Sequence, residues 1–428
     1  MTPPARTVVT PAVAIVGAGP AGLSAATSLA RTHSGEVLVL EREHEAGGIP
    51  RHSDHTGYGL RDQHRLLTGP AYARLLTRQA QAAGARILTQ ATVTGWSGLD
   101  TTPALQVTTP AGLLRVEPQA IILATGARER PRAARRIAGD RPGGVLTTGQ
   151  LQNLVHLHHQ SVGTRAVVVG SELVSWSAVM TLREAGCKTV LMTTEYAHDE
   201  AYLAFAVAGR LRLGVKATTR TRVARIIGRR RVEGVEIENL DTGDRTIVPC
   251  DTVVFTGDWI PDHELARLAA LDIDPGTKGP SIDTALRTSR PGVFAVGNLV
   301  HPVDTADVAA LDGGHVATHV VRYLTGTERT GHLRENPTAG ALIRADEPFT
   351  WVAPNRLAPD AIAPARGRLL LWPTERVHRP VVEIRQGDAT IARRRVPWPA
   401  APGRVFRVPW SVLSDADPRG GEIHIGLV

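Results

Sequence analysis

The chain has 428 residues, 42% hydrophobic and 21% charged, the proportions of an ordinary globular protein with room for two or three domains. Its formal charge of +8 rests almost wholly on arginine, since Lys188, Lys216 and Lys278 are the only lysines. The arginine runs at 128–136 and 229–231 lack interleaved aromatics or a recognition module, which argues against nucleic acid and leaves an anionic substrate or acidic partner.

In chain order, Val13–Val16 is a short apolar run that reads as a buried parallel strand. Gly17, Gly19 and Gly22 follow as a G-x-G-x-x-G turn, and Leu23–Ala30 opens an Ala-rich helix. This layout suits a dinucleotide. Gly17 permits the tight turn, Gly19 lets the backbone approach a pyrophosphate, and Gly22 lets the helix pack closely on the strand. The helix N-terminus then offers free N–H groups and a positive dipole end. Glu41 ends the next strand, Val37–Leu40, 24 residues after Gly17, where a carboxylate can hold two ribose hydroxyls.

Gln119–Gly126 reads as a buried strand ending in a glycine turn. His156, His158 and His159 have no i, i+4 pair and no accompanying carboxylate, so they read as polar surface and no metal site is expected. A second strand–turn–helix unit begins at Arg165, with Gly170 at the place of Gly17. Here Glu172 and Ser175 stand where the second and third glycines belong, adding charge and bulk beside a pyrophosphate. Glu195, 25 residues after Gly170, is nonetheless placed for an NAD ribose. Asp251–Gly257 and Gly292–Gly297 read as further strands, Trp259 as a packing anchor between them, and Asp304–Leu324 as a helix that Asp304 caps. Beyond about residue 335 the chain is proline-rich, with β-like runs at Arg368–Trp372, Pro380–Arg385 and Gly421–Val428, and is expected to form a sandwich of six or seven strands.

Cys187 and Cys250 are the only cysteines and belong to no C-x-x-C, so neither a disulfide framework nor a redox dithiol is expected. No run reaches the roughly 18 apolar residues of a membrane span, and the opening MTPPARTVVTP lacks the apolar stretch of a secretion signal, so a cytoplasmic protein is expected.

The motifs GAGPAG at 17–22, Glu41, ATGAR at 124–128, VGSELVS at 169–175, TGDWIP at 256–261 and GVFAVGN at 292–298 together resemble the two-dinucleotide-domain flavoproteins. These are the thioredoxin-reductase-like and pyridine-nucleotide oxidoreductases, and the resemblance spans roughly residues 12–325. EAGGIPRHSDHTGYG at 45–59 and ATGARERPR at 124–132 are similar to one branch: the FAD-binding subunits of sarcosine-oxidase-, opine-oxidase-, hydrogen-cyanide-synthase- and glycerol-3-phosphate-dehydrogenase-like enzymes. The resemblance implies an α/β protein with two Rossmann-like dinucleotide-binding folds, the second inserted in the first, plus a small C-terminal all-β domain. The implied divisions are 1–130 with 257–330 for FAD, 131–256 for the NAD(P)-like fold, and 335–428 for the appendage.

It also implies site residues. Gly17, Gly19, Pro20 and Ala21 would surround the FAD pyrophosphate, Glu41 the ribose, Arg42 the adenine face, and the Val93 backbone the adenine edge. Gly48, Ile49, Thr125 and Gly126 would lie near the flavin, Gly297 and Asn298 at the ribityl chain, and Ala306 at a helix start aimed at the pyrimidine ring. Gly170 and Glu195 mark an NAD(P) site whose use is open. His52, His55 and His301 are rival proton acceptors, and Arg51 is placed to hold a substrate carboxylate. Three readings stand: an FAD enzyme passing hydride from a small amine, imino acid or hydroxy compound to flavin N5; an FAD subunit needing a partner chain or electron acceptor; or an NAD(P)H-dependent reductase.

Overall fold

The computed structural model describes residues 7–32, 35–99, 103–327 and 339–428. The first glycine turn sits at the end of the middle strand of a five-stranded parallel sheet. Its order is Val293–Ala295, Ala120–Leu123, Val13–Val16, Val37–Leu40, Arg86–Leu88. Val13–Val16, Val37–Leu40 and Ala120–Leu123 are buried along their whole length, which is why they read as continuous apolar runs rather than alternating ones. A four-stranded sheet containing Thr92–Ser97, Ala104–Thr109 and Gly112–Val116 completes this half.

The helix after the turn runs Pro20–Thr32, three residues earlier than the apolar pattern suggests. Proline suits the first helical position because its missing N–H is not needed there. This helix packs along Ala306–Leu324, and the contact is backbone-close. A Cβ on Gly313 would overlap the carbonyl oxygen of Ala21 and stand 2.7 Å from the Ala25 nitrogen.

A second five-stranded parallel sheet repeats the plan, in the order Val145–Thr147, Thr252–Phe255, Arg165–Val169, Lys188–Thr193, Ala217–Thr218. The chain leaves the first fold along Ala127–Glu129 and returns along Trp259–Pro261, and these segments pair antiparallel. Glu129 therefore lies opposite Trp259. The second Rossmann-like fold is thus inserted in the first.

The C-terminal part is all β, with eight strands among the described residues rather than six or seven. Five form one sheet (Arg356–Leu357, Ala341–Ala345, Ile423–Leu427, Val381–Gln386, Ala389–Arg395) and three another (Phe349–Ala353, Arg368–Pro373, Phe406–Pro409). The surplus comes from short strands such as Arg356–Leu357, too brief to show alternation in sequence. Their core includes Phe349, Leu369, Val382, Phe406 and Ile425.

Gly313→Ala should force the two helices apart and destabilise the protein by about 1–3 kcal/mol, the usual cost of overpacking. A urea denaturation midpoint compared with wild type measures it, and an unchanged midpoint would contradict the close contact.

Candidate cofactor and active site

Gly17 holds φ at 104°, and a Cβ there would stand 2.5 Å from the Ala124 carbonyl oxygen. Only glycine lets the turn lie against the neighbouring strand. At Gly19 the same added atom would meet nothing, so the turn's outer side is open to a ligand. Glu41 is buried and accepts hydrogen bonds from the Ala18 N–H at 2.8 Å and the Glu43 N–H at 2.9 Å. The acid is thereby tied to the glycine turn. Arg42 is exposed and lies 3.7 Å from Glu43. The Ala91 N–H donates to the Glu41 carbonyl at 2.8 Å, which brings the strand bearing Val93 beside the acid.

The segment after Gly47 folds onto this turn. A Cβ on Gly48 would stand 2.9 Å from the Gly19 Cα, and Ile49 beside it is 53% exposed. Arg51 and His52 are buried in a short 3-10 turn, Ile49–His52. Arg51 donates to the Glu45 carbonyl at 3.1 Å, while its Nη2 has no hydrogen-bond partner among the described residues. His52 is pushed down to about 4, by burial first and by the Arg51 cation next, so it is neutral at physiological pH. Its Nδ1 is buried without a hydrogen-bond partner among the described residues. His55 is otherwise engaged: Nε2 lies 2.9 Å from Ser53 Oγ and Nδ1 lies 2.8 Å from the Thr56 carbonyl. His156, expected at a polar surface, is instead a largely enclosed support whose ring bonds the His52 carbonyl at 2.6 Å and Glu184 at 3.0 Å.

Thr125 Oγ1 donates to the Asp262 carbonyl at 2.7 Å, and the Gly126 carbonyl accepts the Asp262 N–H at 2.9 Å. Both are fastened to the returning strand. The Gly297 N–H donates to Asp312 at 3.1 Å. His301, a rival base in sequence, is 3% exposed with Nε2 2.5 Å from the same Asp312 oxygen. Burial opposes charge on that ring, but the Asp312 carboxylate outweighs it and raises the His301 pKa. His301 therefore positions Gly297 through Asp312. Asn298 donates to the Asp304 carbonyl at 2.9 Å and leaves its Oδ1 unpartnered among the described residues. Asp304, expected to cap the helix at Ala306, instead accepts both of its contacts with Arg407, at 2.7 and 2.9 Å, from the C-terminal sheets. Thr305 is the N-cap residue and makes no side-chain cap. Arg51, His52, Asn298 and His301 thus all keep a buried polar atom without a hydrogen-bond partner around an open glycine turn, which fits a polar cofactor.

The second glycine turn has the opposite character. Gly170 keeps φ at 129°, but its surroundings are Thr256 Oγ1, the Glu172 carboxylate and Ser175 Oγ. Glu200, which no sequence motif marks, accepts from the Ser171 N–H at 3.2 Å, Ser171 Oγ at 3.1 Å and Thr194 Oγ1 at 2.8 Å. The Ser171 N–H is thus held by a carboxylate as the Ala18 N–H is by Glu41, but here the Glu172 carboxylate also stands against Gly170 and Gly257. Glu129 is buried and accepts from the Gly149 N–H at 2.9 Å. Desolvation, reinforced by the charge of Glu172, pushes both Glu200 and Glu129 up to about 7. Glu195 lines a cavity of about 410 Å³ with Arg130, Arg135, Arg136, Asp258 and Val169, the residue before Gly170.

A single chain that carries one open glycine turn with its acid, and a second such fold inserted in the first, belongs to the class of two-dinucleotide-domain oxidoreductases. Residues 11–313 match the family described as pyridine nucleotide-disulphide oxidoreductase, and the chain is a member of that family. It is an FAD-dependent oxidoreductase. An 87-residue stretch is 38% identical to the probable ferredoxin reductase CtmF of Castellaniella defragrans, covering 20% of this chain and 19% of that protein. An opine oxidase subunit of Rhizobium meliloti is 27% identical over 313 residues, covering 67% of this chain and 58% of that protein. The matched regions thus span less than two thirds of either relative. The thioredoxin reductase of T. acidophilum shares the fold, with a TM-score of 0.63 at 21% identity over 74% of this chain and 99% of that one. Among the described residues no helix is long and apolar enough to cross a membrane.

Carboxyls whose folded pKa is raised stabilise the fold below their unfolded value near 4.5, and that contribution is lost as pH rises through about 7. A Glu129→Gln, Glu200→Gln double variant should therefore gain stability relative to wild type between about pH 5 and pH 8, by on the order of 1 kcal/mol per carboxyl. Melting temperatures of both proteins across that range test it, and a constant difference would contradict the carboxylate cluster.

Proposed function

We propose that this chain oxidises a small organic substrate, an amine, imino acid or hydroxy compound, with FAD in the first fold, and that the second fold is scaffold. The observation that carries this reading is Glu172 in place of the second glycine, its carboxylate standing against Gly170 and Gly257 with Glu200 close by. An anionic pyrophosphate would meet two carboxylates there. Cys187 and Cys250 are buried free thiols, both pushed up to about 11 by burial and then by Asp251, a state unsuited to thiol exchange. The substrate class draws support from the likeness to an opine oxidase.

In this reading Gly17, Gly19, Pro20 and Ala21 surround the pyrophosphate, Glu41 holds the ribose, and Arg42 and Val93 flank the adenine. Gly48, Ile49, Thr125 and Gly126 line the flavin, Gly297 and Asn298 meet the ribityl chain, and the helix from Ala306 faces the pyrimidine ring. Bound FAD supplies a two-electron acceptor. Arg51 pairs with the exposed Glu45 carboxylate at 3.4 Å and keeps Nη2 without a hydrogen-bond partner among the described residues, a donor near the reacting face that suits an anionic substrate. His52 stays neutral with Nδ1 free to accept a proton, and His156 holds its backbone in place. His55 is held by Ser53 and Thr56 and serves as support. A second reading, an FAD protein completed by a partner chain, is favoured by the likeness to a relative that is itself one subunit of its enzyme.

Anaerobic titration of the yellow protein with NADH and then NADPH separates these readings from a reductase. The flavin band should persist with both reagents, and Glu172→Gly combined with Glu200→Gln should raise NADH bleaching at least about tenfold by removing two charges from the turn. Prompt bleaching of the wild type would overturn the scaffold assignment.

A further inference from the structure

The C-terminal sheets are fastened around the loop that precedes the Ala306–Leu324 helix. Trp351, Ala353 and Leu370 form an apolar cluster that Val303, Trp372 and Val405 join. Arg287 bonds Asp360 of the C-terminal part at 2.6 and 3.0 Å and Asp283 at 2.6 Å, and Asn355 accepts from Ser281 Oγ and the Ile282 N–H at 2.8 Å each. These attachments bring a short turn, Ala365–Gly367, against the helix.

Arg366 in that turn has φ of 63° and ψ of 10°, left-handed backbone that an arginine adopts only under constraint. Its charged neighbours are Arg407, Asp304, Arg61 and Asp307. The two carboxylates are already engaged. Asp304 accepts from Arg407 at 2.7 and 2.9 Å, and Asp307 from the Arg61 guanidinium at 3.2 Å and the Arg61 N–H at 3.1 Å. Arg366 is a third cation, exposed to solvent, with no hydrogen bond or ion pair among the described residues. The Arg407 Nε is buried without a hydrogen-bond partner among them. Desolvation by the surrounding protein, and then the charge of Arg407, lowers the Arg366 pKa, as expected for a guanidinium held beside its own kind.

We propose that Arg366, brought in by the C-terminal β domain, binds the carboxylate of an anionic small-molecule substrate at the start of the Ala306–Leu324 helix. Three guanidiniums share two carboxylates there, and a planar carboxylate matches the donor fork of the one left over. The placement rests on the proposed FAD reading, in which this helix start faces the flavin. It gives the β domain a role in substrate choice, distinct from that of Arg51 in the first fold.

The test uses the full-length protein loaded with FAD, and sodium pyruvate as a non-reacting carboxylate with methyl pyruvate as its uncharged control. Pyruvate should shift the flavin absorbance saturably and raise the melting temperature, and the ester should do neither. Arg366→Gln should weaken pyruvate at least about tenfold, the loss of one charge-assisted hydrogen bond, and Arg366→Lys should recover part of it. Arg366→Gly should lose pyruvate in the same way while melting no lower than wild type, because glycine accepts that backbone without strain. FAD content should be unchanged in all three variants. Undiminished pyruvate binding by Arg366→Gln, or no response to pyruvate in FAD-loaded wild type, overturns the carboxylate site. A protein that holds no FAD overturns the reading beneath it and with it this placement, and the absorbance shows that before pyruvate is added.

Discussion

Everything in the first fold depends on how closely the Gly17 turn can approach the Ala124 backbone. That approach lets the strand Val13–Val16 run straight into the helix at Pro20, and it leaves Gly19 facing outward. The same helix then accepts Gly313 of the last helix against its own backbone, which brings Gly297 and Asn298 to the turn. A chain of backbone contacts, each requiring a missing Cβ, therefore links residues nearly 300 positions apart. Side-chain burial stabilises the sheet, but these contacts set the shape of the site.

The two glycine turns of this chain show how one fold yields two electrostatic outcomes. The first is ringed by Arg51, paired with the exposed Glu45, and neutral His52, with the carboxylate of Glu41 held by N–H groups. The second has Glu172, Glu200 and Glu129 crowded beside the turn, so that two of them keep protons near neutrality. In the proposed reading a phosphate-bearing ligand gains from the first arrangement and meets the Glu172 charge at the second, with Arg130, Arg135 and Arg136 lining the adjoining cavity. Retaining the second sheet still serves the first fold, because Ala127–Glu129 and Trp259–Pro261 brace the Thr125–Gly126 turn through Asp262.

Local signals are readable along the chain wherever one segment determines its own structure. Val13–Val16 and Val37–Leu40 emerge with the ends their apolar runs mark, and Glu41 is buried at the turn that the spacing to Gly17 suggests. The last helix begins at Ala306 as expected, but Thr305 rather than Asp304 is its N-cap, and Asp304 pairs with Arg407, 103 residues away. Spacing does not connect Glu200 with Ser171, since the intervening strand and loop carry no motif. His156 and Arg366 are equally hidden, one behind a surface-like cluster and the other within a proline-rich stretch. What escapes a linear reading is long-range charge pairing, for which residue order holds no period.

The most direct measurement is reconstitution of the flavin-free protein with FAD and, separately, FMN, followed by calorimetry. Anchoring through the glycine turn and Glu41 predicts one FAD bound per chain and little affinity for FMN, which lacks the adenosine half. Equal binding of the two flavins, or binding of neither by a folded chain, would contradict the account.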